Sequence, residues 1–262
     1  MLTDLHPIAD KNSVRQVIAT VFLLEPVYEP QRFKEYFNNE LKDYHKFEII
    51  KANSLKFRLS KGLIEDSDKT AIENGFRMVH FENGKLSSFL RGENLKTSYS
   101  SAIYSYHSLN YQGWETFLKT FLKNFMVLAD ADSPFFNAIS LNYLNEFDWK
   151  SDLDIPIKEV FVSEEYFSEK FWKSQNSAFL LNTEEAKETY KENEKLEVVV
   201  SKERKKIIIN SQLAFEFTKP YKLKSFSENG NLEENFNSIH EKIKGTLGEI
   251  FSEEVQQKIN LI

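Results

Sequence analysis

Residues 111–125 read YQGWETFLKTFLKNF and carry apolar, mostly aromatic side chains at every third or fourth position. This spacing matches the period of an α-helix, so the side chains lie on one broad face of a helix of about four to five turns. A second ridge with the same period spans residues 232–250. Apolar faces of this width must be covered, and we expect both helices to pack on β-sheet.

Segments outside these ridges are rich in β-branched residues or have apolar residues at alternate positions, which is typical of strands. The clearest turn is Asn83-Gly84, because this dipeptide readily takes the two positive φ angles of a type I′ hairpin turn. The predicted strands are 14–22, 47–59, 76–81, 85–90, 98–99, 103–106, 136–147, 157–162, 178–181, 196–200 and 207–217. Most of them lie in hairpins.

Two more helical segments are predicted, and the start of the last helix can be placed. Pro30 suits the first helical position before an apolar stripe at 33–44. A short helical turn is expected at 167–172. In the last helix, Asn231 is the predicted N-cap and Glu234 occupies the third helical position, as in a capping box.

Polar composition indicates a loop at 60–75 and a solvated helix or linker at 184–194. Because the strands come mostly in hairpins, the sequence predicts an α+β fold with mixed or mainly antiparallel sheets covered by amphipathic helices. The segment 148–156 is a plausible joint, so we divide the chain into 1–150 and 151–262. Two similar packed halves and one compact domain are both compatible with this pattern.

Composition narrows the function classes. The chain of 262 residues has no cysteine, which excludes disulfides and thiolate chemistry. A net charge of −6 argues against a large phosphate-binding surface, so nucleic acid is an unfavoured partner. The start, Met1–Pro7, has neither the basic nor the apolar part of a secretory signal, and no stretch is long and apolar enough to cross a membrane. We therefore expect a cytoplasmic protein without a membrane partner.

Asp130 and Asp132 are the first candidate catalytic pair. Placed between a helix and a strand, two carboxylates at this spacing can hold Mg²⁺, as in phosphoryl-transfer sites. The alternative is that Asp, Ser and Pro here simply end a helix and form a turn. The turn is the favoured interpretation, and we expect no resident metal.

Histidines supply the second candidate. His240 and Glu241 lie beside the apolar ridge of the last helix, and His80 lies on a predicted strand. A histidine oriented by a carboxylate is a possible general base. However, the sequence contains neither Gly-x-Ser-x-Gly nor His-Glu-x-x-His, so a structural histidine is favoured.

A basic cluster at one predicted hairpin tip is the candidate binding site. It consists of Lys202, Arg204, Lys205 and Lys206. Basic residues can bind nucleic-acid phosphates, but hairpin tips are commonly charged because they face water. The solvated turn is favoured here, since the negative charge of Glu203 reduces the net positive charge of the cluster. Phosphate cradles are excluded because the 8 glycines form no Gly-x-Gly-x-x-Gly or Walker pattern.

Several short motifs, in the same order along nearly the whole chain, resemble an uncharacterised and sporadically distributed family of bacterial and archaeal proteins of similar length. The motifs are Asn12-Ser13-Val14-Arg15-Gln16-Val17, Tyr111-Gln112-Gly113-Trp114, Leu141-Asn142-Tyr143-Leu144-Asn145-Glu146, Ile239-His240-Glu241 and Phe251-Ser252. The resemblance implies no catalytic residue, cofactor or substrate. The family's patchy distribution would suit a mobile accessory gene, for instance in phage defence or a toxin and antitoxin pair.

Three functions remain open. The favoured one is a non-catalytic protein that binds another protein, or itself, through a sheet edge or an exposed apolar patch. The second is a metal-dependent phosphodiesterase or nuclease that uses Asp130 and Asp132. The third is a carrier that holds an apolar small ligand beneath the helix at 111–128, although close packing of that face is the favoured expectation. We expect no cofactor.

Overall fold

The computed structural model describes residues 2–9, 12–60, 63–162, 166–174 and 176–261, and for 53–60 and 63–70 it describes the backbone only. The strands in these ranges are β1 Leu5–Pro7, β2 Val14–Leu23, β3 Lys46–Ser60, β4 Leu63–Glu82, β5 Lys85–Glu93, β6 Ala102–Ser108, β7 Phe135–Trp149, β8 Asn176–Ala186, β9 Tyr190–Ser201 and β10 Lys206–Lys222. The helices are α1 Phe33–Asn39, α2 Trp114–Asp132, α3 Ile157–Val160, α4 Glu169–Lys173, α5 Leu223–Glu228, α6 Asn231–Ile250 and α7 Glu253–Lys258, and a 3₁₀ turn, Pro30–Arg32, precedes α1.

The ten described strands form one sheet in which every pairing is antiparallel. The strand order is β3-β4-β5-β6-β2-β7-β10-β9-β8, and β1 pairs with the end of β7. This confirms the α+β class and its antiparallel form. Near the centre, β7 pairs with β2 and with β10, so strands from 1–150 and 151–262 share one sheet. The division near residue 150 and the similarity of the two halves stay predictions.

The two aromatic ridges form much of the core. Phe121 and Phe125 of α2 and Phe236 of α6 are fully buried. The rings of Phe121 and Phe236 meet edge to face, with centroids 4.6 Å apart. Ile139 and Leu141 on β7 belong to the same buried cluster. Both ridges therefore pack against the sheet, as their period predicts.

Most strands predicted from alternation are confirmed. β2 covers 14–22 and β7 covers 136–147. The turn between β4 and β5 has positive φ at both central residues, 51° at Asn83 and 76° at Gly84. The hairpin at Asn83-Gly84 is therefore confirmed.

The loop predicted at 60–75 is wrong, since β4 begins at Leu63 and pairs with β3 in a long hairpin. Residues 61 and 62 lie outside the described ranges. The backbone register sets Lys56 opposite Asp68 and Arg58 opposite Glu65, so two of the acids that suggested a loop lie opposite bases in the register.

The helix or linker predicted at 184–194 is also wrong, because β8 and β9 pair through this region. Its charges form ion pairs, as between Lys191 Nζ and Glu184 Oε1, 3.1 Å apart. Residues 98–99 lie in a bend between β5 and β6, not in the predicted strand. Charge-rich sequence can thus form strand when opposite charges are paired.

Three local predictions need correction. The strand predicted at 157–162 begins as helix α3, which buries Ile157 and Val160. Helix α1 ends at Asn39, several residues before the end of its predicted apolar stripe. Gly230 precedes α6 with φ of 78°, and no side chain caps this helix, so Asn231 is its first residue and not its cap.

Candidate ligand-binding cavity

A cavity of about 490 Å³ lies between the start of α2, the middle of β7 and the middle of α6. The segment before β2 and the residues after α7 complete its walls. Its lining residues are Asn12, Ser13, Val14, Tyr111, Gln112, Gly113, Trp114, Tyr143, Asn145, His240, Ile243, Lys244, Leu247, Ile259, Asn260 and Leu261. Because these residues come from distant parts of the chain, the cavity exists only in the folded protein.

Secondary structure explains why these side chains meet. Tyr143 and Asn145 follow Leu141 at alternate positions of β7, which sets all three on the sheet face that the helices cover. On α6, His240, Lys244 and Leu247 follow one another at intervals of about one helical turn and therefore share one side of the helix.

Aromatic rings form one wall of the cavity. The Trp114 ring stacks on the His240 ring at a centroid distance of 4.2 Å and an interplanar angle of 10°. Trp114 Nε1 donates a hydrogen bond to Asn237 Oδ1 at 2.7 Å, and Tyr143 Oη lies 2.9 Å from His240 Nδ1. Tyr111 meets Tyr143 edge to face. Hydrogen bonds and stacking thus fix the wall in place.

Polar groups line another part of the cavity. Asn145 is only 2% exposed, and its Oδ1 accepts a hydrogen bond from Ser13 Oγ at 2.9 Å. Its Nδ2 is buried and has no hydrogen-bond partner. An unsatisfied buried donor costs about 1–3 kcal/mol, so this amide would gain from an acceptor brought by a ligand.

Burial sets the protonation states in the wall. It lowers the pKa of His240 to about 4, with Lys244 adding to the effect and Glu241 opposing it. Burial also raises the pKa of Tyr143 well above its usual value of 10. At neutral pH the wall therefore contains a neutral imidazole and a neutral phenol. Among the described lining residues, Lys244 carries the only charge.

Asp130 and Asp132 do not form a shared site. Both lie in the last turn of α2, where residues two apart point about 200° away from each other. Asp130 Oδ1 lies 2.8 Å from Lys224 Nζ, and Asp132 forms an ion pair with Arg32. Each carboxylate is thus neutralised by its own cation. Helix α2 ends at Asp132, as the favoured interpretation predicts, although both aspartates lie inside its last turn and not in a turn beyond it.

The basic cluster is at the β9–β10 turn, as predicted, but it is largely neutralised. The ion pairs are Lys202 with Asp154, Lys205 with Asp152, and Lys206 with Glu146 and Asp148. This arrangement fits a solvated turn better than a phosphate-binding surface. Arg204 belongs to the same turn.

His240, Glu241 and His80 do not form one site. His240 lies in the cavity wall, whereas Glu241 is 69% exposed and its Oε1 is 3.8 Å from His240 Nε2. His80 lies in a different, smaller depression, where its Nδ1 is hydrogen-bonded to the backbone oxygen of Asp43. Of the predicted catalytic residues, only His240 reaches the cavity.

Sequence reasoning missed the other principal residues of the site, Trp114, Tyr143 and Asn145. One signal was available, because Asn145 is a polar residue at a position of β7 whose alternate neighbours, Tyr143 and Phe147, are aromatic and buried. Four of the five motifs that carry the family resemblance contribute lining residues. The favoured expectation of close packing for the helix at 111–128 holds at residues such as Phe121 and Phe125. It fails at the first turn of α2, which borders a cavity with titratable groups.

Comparison of the chain with models of protein families, with characterised proteins and with solved structures finds no match. Membership of the family named above therefore stays a prediction. Within the described ranges, no three His, Asp or Glu side chains are grouped to hold a metal ion. No helix in the same ranges is both long and apolar enough to span a membrane.

Proposed function

We propose that this protein binds a small, planar and largely apolar molecule in the cavity beside α2 and does not transform it. The observation that carries this proposal is the aromatic wall of Trp114, Tyr143 and His240, which is held by its own hydrogen bonds. The same lining includes Asn145, whose buried amide nitrogen has no partner. The site is thus preformed, and a ligand would not have to order it.

Size and lining both favour a ligand. Small-molecule sites usually enclose about 300–1,000 Å³ and combine apolar walls with a few polar groups. The cavity of about 490 Å³ falls in this range, and Ile243 and Leu247 add aliphatic surface to the aromatic rings. Flat rings stack favourably on such walls.

Catalysis has less support. A general base near neutral pH needs a pKa near that pH, but burial keeps His240 neutral with a pKa of about 4. Ser13 Oγ donates its hydrogen bond to an amide oxygen and not to a base. The diverging carboxylates of Asp130 and Asp132 likewise give no support to the nuclease hypothesis.

The test is a fluorescence titration with the neutral probe N-phenyl-1-naphthylamine. Wild-type protein should bind the probe, and Trp114→Leu should weaken binding by about tenfold, because the stacking wall is lost. Trp172→Leu is the matched control, since Trp172 lies on α4 outside the cavity. Gln112→Trp, an exposed change at the cavity rim, should also weaken binding without disturbing the core.

Failure of the wild-type protein to bind the probe would refute the proposal. Equal affinity in wild type, Trp114→Leu and Gln112→Trp would also refute it, since the probe would then bind elsewhere. Circular dichroism of each variant establishes that it is folded.

We also propose self-association through β8, the last strand of the sheet. β8 contains neither proline nor lysine, which often protect edge strands, and its Leu180 is 56% exposed beside half-buried Phe179 and Leu181. A second copy adding its own β8 would extend the sheet and cover these side chains. In analytical ultracentrifugation the wild-type protein should sediment as a dimer. The Leu180→Lys variant should sediment as a monomer. A wild-type monomer at high micromolar concentration would refute this proposal.

A further inference from the structure

We infer that the cavity ligand carries a carboxylate, which binds at the end of the cavity where Lys244, Asn145 and the start of α2 meet. This inference rests on the proposed function and names the chemical class of the ligand as a small aromatic carboxylate. Three independent features of the described lining support it.

The first feature is charge. The chain as a whole has 40 acidic and 34 basic residues, yet the described lining contains Lys244 and no carboxylate. Lys242, two residues earlier on α6, forms an ion pair with Glu192. Lys244 is also exposed but, in the described part of the chain, has no carboxylate within ion-pair distance. An anionic ligand would provide the missing partner.

The second feature is the unpaired donor. Oδ1 of Asn145 is already engaged by Ser13, so the free capacity of this side chain lies at Nδ2, which can only donate. The complementary ligand group is therefore an acceptor, and a charged acceptor makes the stronger hydrogen bond.

The third feature is the start of α2, a helix of 19 residues. Residues 112–114 line the cavity, and no side chain caps the helix there. The first backbone N–H groups of a helix have no intrahelical acceptor, and its N-terminus carries a partial positive charge, so an anion is favoured nearby. Glu115, in the first turn, is exposed and does not line the cavity.

The number of donors indicates which anion fits. One lysine, one amide and a helix start match a singly charged, planar group. A phosphate dianion is usually bound by more cations, commonly including arginine, and no arginine occurs in the described lining. A carboxylate joined to a flat ring also places its apolar part against Trp114 and Tyr143.

The experiment compares three probes of nearly equal shape: 2-naphthoate, 2-naphthamide and 2-naphthalenemethanol. Each displaces N-phenyl-1-naphthylamine in a competition titration near neutral pH. We expect 2-naphthoate to bind wild-type protein about tenfold more tightly than the two neutral probes, as a charge-assisted hydrogen bond allows. Lys244→Met should reduce this preference to about twofold, because it weakens the binding of 2-naphthoate more than the binding of 2-naphthamide.

Lys242→Met is the matched control, because it removes a lysine from the same helix outside the cavity. It should retain the full preference for 2-naphthoate. Asn145→Asp should weaken 2-naphthoate more than 2-naphthamide, since it adds a negative charge beside the ligand.

The outcomes separate the two proposals. If the neutral probes bind and 2-naphthoate binds no more tightly, the carboxylate inference is overturned and the proposed cavity function stands. If Lys242→Met lowers the preference as much as Lys244→Met, general surface charge is responsible and the inference is also overturned. If no probe binds, the proposed function itself fails.

Discussion

Substitution of His240 by glutamine should remove a pH-dependent part of the stability of this protein. The His240 side chain is only 16% exposed, and its ring is covered by Trp114. Burial lowers its pKa from 6.5 to about 4, so the folded protein resists protonation of this ring whereas the unfolded chain does not. Stability from this group is therefore complete above pH 6.5 and is lost as the pH falls towards 4.

The size of the effect follows from the pKa difference. Each pKa unit corresponds to about 1.4 kcal/mol, so by about pH 4.5 the wild-type protein should have lost about 2.5 kcal/mol through His240. His107 complicates a simple pH profile, since burial and Arg91 also lower its pKa to about 4. Comparison with His240→Gln cancels this second contribution, because glutamine does not titrate and His107 is present in both proteins.

The assay is urea denaturation of wild type and His240→Gln at about pH 7.5 and about pH 4.5. The variant should be less stable at the higher pH, because the stacked ring is lost. The difference in free energy of unfolding should then shrink by about 2.5 kcal/mol at the lower pH. A difference that stays constant within about 0.5 kcal/mol would refute the assignment of a buried, neutral histidine to the cavity wall.

Three further predictions concern the scaffold. Phe121→Ala should lower the free energy of unfolding by about 3–5 kcal/mol, because Phe121 is fully buried. Lys119→Ala, an exposed change on the same helix, should alter it by about 0.5 kcal/mol or less. Similar losses for the two variants in urea denaturation would contradict the assigned core. Glu146→Gln should cost about 2 kcal/mol at neutral pH, because hydrogen bonds from Lys206 and Arg15 outweigh burial and keep the pKa of this carboxyl below its usual value. This cost should diminish as the pH falls through that lowered pKa, and a pH-independent cost would argue against an ionised Glu146. Gly84→Ala should lower the free energy of unfolding by about 1 kcal/mol, because φ is positive at this position although there is space for the added methyl group. An unchanged stability in thermal or urea unfolding would contradict the turn geometry.

Much of the fold could be predicted from local pattern. The helical period of 111–125 and 232–250 correctly indicated buried ridges, and Asn83-Gly84 correctly placed a hairpin, because both signals come from neighbouring residues. The predictions for 60–75 and 184–194 were wrong because the structure of these segments depends on partners on another strand. The backbone register sets Lys56 opposite Asp68 in the first segment, and Lys191 forms an ion pair with Glu184 in the second. Such cross-strand partners cannot be read from composition.

The candidate site was harder to predict because its residues are distant in sequence. His240 was recognised by residue type, but its stacking on Trp114 depends on how α2 and α6 pack. Asp130 and Asp132 attracted attention through spacing alone, and the helix turns them apart. Asn145 was detectable as a polar residue at a buried strand position, although its missing hydrogen-bond partner is a property of the assembled structure.

The position of β2 has a consequence for biosynthesis. β2 lies between β6 and β7, and its Val17 pairs with Tyr143, far along the chain. In a nascent chain, one edge of β2 therefore has no hydrogen-bonding partner until β7 has been translated. One edge of β7 in turn has no partner until β10 has been translated. Such non-local pairing slows folding and prolongs exposure of apolar strands, so we expect this protein to engage chaperones during translation and to refold slowly after dilution from denaturant.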